Sequence, residues 1–172
     1  MRKLFTTILV LSAVALPAGL ADAGSGSGCT ITGTNGDDTL RGTPGPDVIC
    51  GKGGFDTIDG LGGADTIIGG GKSDIIAGGL GGDVIRGGGG GDIAEGGKGG
   101  DVMQGGTGVD TFYGQKGVDL LSGGDGRDCL DGHDGAAGDS VFGGGARDRY
   151  DADTGDELRS VELLTFHCME GQ

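Results

Sequence analysis

Residues 78–106 read GGLGGDVIRGGGGGDIAEGGKGGDVMQGG, a composition that suggests a flexible linker. A glycine-rich linker stays disordered because it has too little apolar surface to offset the entropy of ordering the chain, and nothing in it requires a fixed register. Here an aspartate returns at every ninth residue, as Asp83, Asp92 and Asp101. The stretch therefore keeps a register that a linker would not need.

The register extends both ways without a slip, through Asp38, Asp47, Asp56, Asp65, Asp74, Asp83, Asp92, Asp101, Asp110, Asp119 and Asp128. Numbered so that this aspartate is sixth, each of the eleven units begins with Gly, and the fourth position is Gly except at Lys72. The eighth position is always apolar: Leu40, Ile49, Ile58, Ile67, Ile76, Ile85, Ala94, Met103, Phe112, Leu121 and Leu130. After the insertion in GHDGAAGD, residues 132–139, the pattern returns with Asp139 and Val141 and then with Asp148 and Tyr150, giving thirteen units. Glycines at the first and fourth positions are expected to allow positive φ and a tight turn, and the residues after the aspartate to form a short strand. Thr34, Thr43, Lys52, Leu61 and Gln115 depart from Gly at position two, and the Lys72 turn is the weakest internal match.

The nonapeptide GGxGxDxUx, with U apolar, resembles the calcium-binding repeat of the RTX, or haemolysin-type, family over almost the whole chain beyond its N-terminal segment. The resemblance implies an all-β fold, a right-handed parallel β-roll with two nonapeptides per coil. Odd units would stack on one side and even units on the other, with position eight filling a thin interior. It also implies several bound Ca2+ ions, with Asp38, Asp47, Asp56, Asp65, Asp74, Asp83, Asp92, Asp101, Asp110, Asp119, Asp128, Asp139 and Asp148 as the metal ligands. Carboxylates stacked at strand spacing, about 4.8 Å, repel by about 3 kcal/mol per neighbouring pair at an effective dielectric constant near 20. A hard divalent cation held by aspartates and turn carbonyls reverses that sign, and calcium tolerates irregular six- to eight-oxygen geometry better than magnesium.

The N-terminus, MRKLFTTILVLSAVALPAGLADAG, has a basic start, an apolar run and a small-x-small ending at Ala21-Asp22-Ala23, and reads as a secretory signal peptide over 1–23. The division expected is a lead-in over 24–32, repeats over 33–151 and a C-terminal capping segment over 152–172, in which Val161 to Phe166 would lay a strand over the open end of the roll. Loss of the signal leaves ten basic and 25 acidic residues, a net charge of −15. Such acidity argues against nucleic acid and direct anionic-membrane binding and for cations. Family members usually leave through an exporter that reads a C-terminal signal, so the N-terminal signal is a departure.

Cys29, Cys50, Cys129 and Cys168 make an even count in an exported chain, which favours disulfides over a metal cluster. In the implied roll Cys50 and Cys129 lie on opposite sides, roughly 20 Å apart, beyond bridging distance, which removes one of three connectivities; pairing each end with the far side would need both short tails to run the length of the roll, so Cys29–Cys50 and Cys129–Cys168 are the expected pairs. TIIGGGKS, residues 66–73, ends like a phosphate-binding loop but lacks its first glycine and any following helix pattern. DGRDCLDGHDG, residues 125–135, lacks the ligand spacing and closing Glu of an EF-hand loop. His133 and His167 read as surface residues, and nothing suggests catalysis. The third positions, Asn35, Pro44, Gly53, Gly62, Gly71, Leu80, Gly89, Lys98, Thr107, Lys116 and Asp125, form no Thr/Asn row, which argues against ice binding.

The expected function is a secreted, non-enzymatic calcium-binding repeat protein that folds on calcium. The alternative is an extracellular adhesin or interaction module with an unidentified cell-surface or protein partner, in which calcium is only structural. Its candidate surface is the outward row Val48, Thr66, Val84, Val102 and Leu120.

Overall fold

The computed structural model of the chain describes residues 28–159. The expected signal peptide, the strand at Val161 to Phe166, His167 and Cys168 lie outside the described residues. Among the described residues fifteen strands follow in chain order: β1 Ile31–Thr32, β2 Thr39–Arg41, β3 Val48–Gly53, β4 Thr57–Asp59, β5 Thr66–Gly71, β6 Ile75–Leu80, β7 Val84–Gly89, β8 Ile93–Lys98, β9 Val102–Thr107, β10 Thr111–Lys116, β11 Leu120–Asp125, β12 Cys129–Asp131, β13 Ser140–Gly144, β14 Arg149–Asp151 and β15 Glu157–Arg159. The odd strands form an eight-stranded sheet and the even strands a seven-stranded one, and every pairing is parallel.

A chain that alternates between two parallel sheets and advances one strand position in each per circuit is a β-roll. Its register is two nonapeptides: Ile85 pairs with Met103 and Ile76 with Ala94, each 18 residues on. The two-residue insertion is absorbed between β12 and β13, so Leu121 pairs with Val141, 20 residues on, without loss of phase. Strand alternation turns the eighth residue inward. Ile49, Ile58, Ile67, Ile76, Ile85, Ala94, Met103, Phe112, Leu121, Leu130, Val141 and Tyr150 form one buried column of core from both sheets. Volume is balanced along it, since the smallest core side chain, Ala94, is the ladder partner of the largest fully buried one, Phe112.

The turns correct one expectation. Positive φ falls at the second and fourth positions, as at Gly79 (111°) and Gly81 (123°), and not at the first. Lys52, Leu61 and Gln115 at position two, and Lys72 at position four, hold the same left-handed conformation with φ of 67–80°. Each bears the steric cost of about 1 kcal/mol that a Cβ brings there. The register outweighs local preference at these four residues. At the Lys72 turn the amine also rests 4.9 Å from the centre of the Phe55 ring, a cation–π contact with the preceding even strand's coil.

Position-one glycines are required for a different reason. A Cβ on Gly78 would lie 2.6 Å from the Asp83 Oδ2 and 2.6 Å from the Gly96 carbonyl oxygen. The glycine makes room for a carboxylate.

A disulfide joins Cys29 to Cys50 with a Cα–Cα distance of 6.0 Å, as expected, and fastens the entering chain to β3. Cys129 stands on β12 in the other sheet and is disulfide-bonded as well, with its expected partner, Cys168, outside the described residues.

Candidate metal centre

Each sixth-position aspartate immediately precedes a strand, and in the interior units its backbone N–H and carbonyl both bond to the following coil. The Asp83 N–H donates to the Asp101 Oδ1 at 2.8 Å, and the Asp83 carbonyl accepts from the Val102 N–H at 2.8 Å. The same carboxylate–amide link runs through the odd-strand sheet from Asp47 through Asp65, Asp83, Asp101 and Asp119 to Asp139. It runs through the even-strand sheet from Asp38 through Asp56, Asp74, Asp92, Asp110 and Asp128 to Asp148. All thirteen expected ligands thus fall into two columns, one per sheet, and twelve of them are at least 92 % buried, Asp38 being partly exposed.

Oδ1 is therefore occupied. Oδ2 is not: in Asp56, Asp65, Asp74, Asp83, Asp92, Asp101, Asp110, Asp119, Asp128, Asp139 and Asp148 it is buried with no hydrogen-bond partner. An unpartnered buried carboxylate oxygen is expensive, and native structures keep only a few unpartnered buried polar groups. All of these oxygens but that of Asp148 also sit beside the glycine that opens their unit, and in most units a carbonyl from the next coil approaches the same point. A Cβ on Gly105 would meet Asp110 Oδ2 at 2.2 Å and the Gly123 carbonyl at 2.4 Å. Two acceptor oxygens near one point, the carboxylate oxygen having no donor, favour a cation.

The titration behaviour reflects this environment. Burial pushes Asp74, Asp92, Asp101, Asp128 and Asp139 up to about 6, opposed by the N–H bonded to Oδ1 and reinforced by neighbouring carboxylates. Burial also raises Asp65, Asp83, Asp110 and Asp119 above the ordinary carboxylate range. Asp47 moves the other way, pulled down by the Thr43 N–H and then by the Thr43 hydroxyl.

Two of the thirteen are thus different. Asp38 Oδ2 accepts from the Thr34 N–H at 2.6 Å and its hydroxyl at 3.0 Å, and Asp47 Oδ2 accepts from the Thr43 N–H at 2.7 Å and its hydroxyl at 2.9 Å. A fourteenth aspartate escapes the sequence count. Asp156 precedes β15 and accepts at Oδ1 from the Asp139 N–H at 3.1 Å, so it continues the odd-strand column, while its Oδ2 accepts from the Asp153 N–H at 2.6 Å. Its signal was the triplet Asp156-Glu157-Leu158, hidden because it stands eight rather than nine residues after Asp148.

Among the described residues no three His, Cys, Asp or Glu side chains converge as a compact metal cluster would require. The oxygens on offer are one carboxylate oxygen per unit and turn carbonyls, a hard, all-oxygen donor set suited to calcium rather than to zinc or copper. His133 turns its Nδ1 to Asp153 at 3.4 Å and Asp151 at 3.9 Å, away from both columns. TIIGGGKS supplies β5 and the turn after it, with no helix to receive a phosphate.

Two stacked parallel sheets carrying columns of inward carboxylates define the chain as a calcium-binding repeat protein of the β-roll type. The family model described as the RTX calcium-binding nonapeptide repeat, four copies long, matches residues 32–67, 51–85, 68–103, 95–130 and 104–138. The chain belongs to that family. No curated protein and no solved structure matches it.

Proposed function

We propose that the chain is a secreted, non-enzymatic calcium-binding protein whose roll folds as calcium binds, and that the sixth-position aspartates of the interior units are its ligands. The observation that carries this reading is the row of eleven buried, unpartnered Oδ2 atoms. Bound calcium would supply the positive charge those oxygens lack. The chain's own residues do the rest. Oδ1 holds each carboxylate against the preceding coil, the position-one glycine leaves the space, and in most units the carbonyl of the next coil's position-one glycine lies beside it. The core is only one side chain deep per strand, so it offsets chain entropy poorly without help at the turns. The proposed export rests on the N-terminal segment 1–23, and the lack of a catalytic role on the absence of any nucleophile or acid–base constellation in the sequence.

The test is far-UV circular dichroism of the chain lacking residues 1–23, in chelator and then in millimolar calcium, with bound ions counted by calorimetry. A change from coil to β with several ions bound is expected. An identical β spectrum and melting point in chelator would overturn the reading.

The adhesin alternative has one supporting observation, the apolar outer face of the odd-strand sheet. Val48, Thr66, Val84, Val102 and Leu120 stand there in ladder register, half-buried among their neighbours. Retention on the cell envelope that is lost on Val84→Lys with Val102→Lys would favour that reading.

A further inference from the structure

The eleven unpartnered carboxylates do not start at the first unit. They start at the third, and the two units before them differ from the rest in three independent ways. First, Thr34 and Thr43 replace the position-two glycine, and neither these residues nor Gly36 and Gly45 at position four take positive φ, unlike both positions in the nine units that follow. Second, this other turn directs both the threonine N–H and its hydroxyl onto the aspartate Oδ2. Asp47 is satisfied at both oxygens, because the Thr30 hydroxyl reaches its Oδ1 at 3.3 Å. Third, the coil they form is fastened without metal. The Cys29–Cys50 disulfide closes it, Asp37 Oδ1 accepts from the Phe55 N–H at 2.8 Å, and Ile31 and Leu40 pack on the core beside Ile49 and Ile58.

We propose that units one and two are a metal-independent cap, in which a threonine N–H and hydroxyl take the place a cation holds in every later unit. Withdrawal of calcium leaves this coil folded, and the remaining coils add to it from the N-terminal side as calcium returns. Threonine at position two marks the difference. Glycine, lysine, leucine and glutamine there all take the left-handed turn that leaves Oδ2 bare, whereas Thr34 and Thr43 stand in the turn that covers it with an N–H and a hydroxyl. Such a cap suits the first described coil, whose backbone groups have no earlier described coil to pair with. The inference rests on the calcium reading for units three onward but concerns units that reading does not use.

The experiment is hydrogen exchange by mass spectrometry on the disulfide-intact chain in chelator. Amides of residues 30–58 should exchange slowly, at least tenfold slower than in the reduced protein, while those of 69–131 exchange at unfolded-chain rates. Exchange of 30–58 as fast as that of 69–131 would overturn the cap. Calorimetric ion counts supply the second arm. Asp38→Asn and Asp47→Asn should leave the number of bound ions unchanged, and Thr34→Gly with Thr43→Gly should raise it. Loss of an ion in either aspartate variant, or no gain in the double glycine variant, would overturn the substitution of threonine for metal. A chain that bound no calcium at all would instead refute the calcium reading, and slow exchange at 30–58 would still separate the two.

Discussion

Replacing an interior aspartate with asparagine should change the stability of the roll in opposite directions with and without calcium. In Asp83→Asn one amide oxygen still accepts the Asp65 N–H, now made to Oδ1 at 2.8 Å, while an NH2 takes the place of Oδ2. That place adjoins the Gly96 carbonyl, which lies as close to the Gly78 Cβ direction as Oδ2 does, 2.6 Å. A donor then faces an acceptor where two acceptors faced each other. The buried charge disappears, together with its repulsion from Asp65 and Asp101, about 3 kcal/mol per neighbour at 4.8 Å and an effective dielectric constant near 20. Partial protonation of the wild-type column reduces that gain, since burial already raises Asp65, Asp83 and Asp101. The net gain in chelator should be about 1–3 kcal/mol per substitution, the usual cost of leaving a buried polar group unpartnered. In calcium the same change removes a ligand, so the calcium midpoint should rise. The triple variant Asp65→Asn, Asp83→Asn, Asp101→Asn, followed by circular dichroism in chelator at pH 7.5, should show more β-structure than wild type, and in calcium it should bind fewer ions. Less β-structure than wild type in chelator would refute the claim that charge in the columns keeps the metal-free roll unfolded.

Without calcium the folded form should gain stability as pH falls. The folded carboxylates of Asp74, Asp92, Asp101, Asp128 and Asp139 titrate at about 6, above their unfolded value, so folding takes up protons. That contribution is complete below about 3.8 and is lost as pH rises through 6; chelated samples at pH 4.5 should therefore hold more β-structure than at pH 7.5, and the reverse would reject the buried-column picture. Gly96→Ala should destabilise the calcium-loaded roll by about 1–3 kcal/mol despite an ordinary φ, because its Cβ would stand 2.4 Å from Asp101 Oδ2; thermal melts in calcium check it. Gln115→Gly should stabilise by about 1 kcal/mol in the same assay, by relieving a φ of 67°. Loss of the Cys29–Cys50 link, which spans 21 residues, should lower stability by about 3 kcal/mol in calcium, measured by urea titration of Cys29→Ser with Cys50→Ser.

Most of the architecture was legible because it repeats. An aspartate every ninth residue with an apolar residue two later sets strand, inward face and register together, and the structure places Ile85 against Met103 and Asp83 beside Asp101 on that spacing. What the repeat could not show were the exceptions. Counting glycines does not say which one turns left-handed, since the first and second positions are both Gly in most units; only backbone geometry separates Gly78, needed for the space beside Asp83, from Gly79, needed for its φ of 111°. Thr34 and Thr43 looked like mismatches in a glycine slot, because a threonine that caps a carboxylate four residues on is visible only when the turn is in place. Asp156 was lost to a one-residue deletion, for a strict period hides the unit that breaks it.

The position of the two carboxylate oxygens bears on cooperativity. Asp83 Oδ1 binds the coil before it through the Asp65 N–H, and Asp83 Oδ2 faces a carbonyl of the coil after it, at Gly96. One side chain thus spans three coils, and a cation at Oδ2 cannot be placed until both neighbours are stacked. On the proposed reading, ion binding and coil addition are a single event, and stability is a sum over interfaces each with its own ion requirement. Two consequences distinguish this from independent loops. The steepness of the calcium-folding transition should increase with the number of interior units, and deletion of one whole coil, residues 78–95, should preserve the register while making the transition shallower. A chain in which each loop bound calcium alone would keep its slope after that deletion and lose only amplitude.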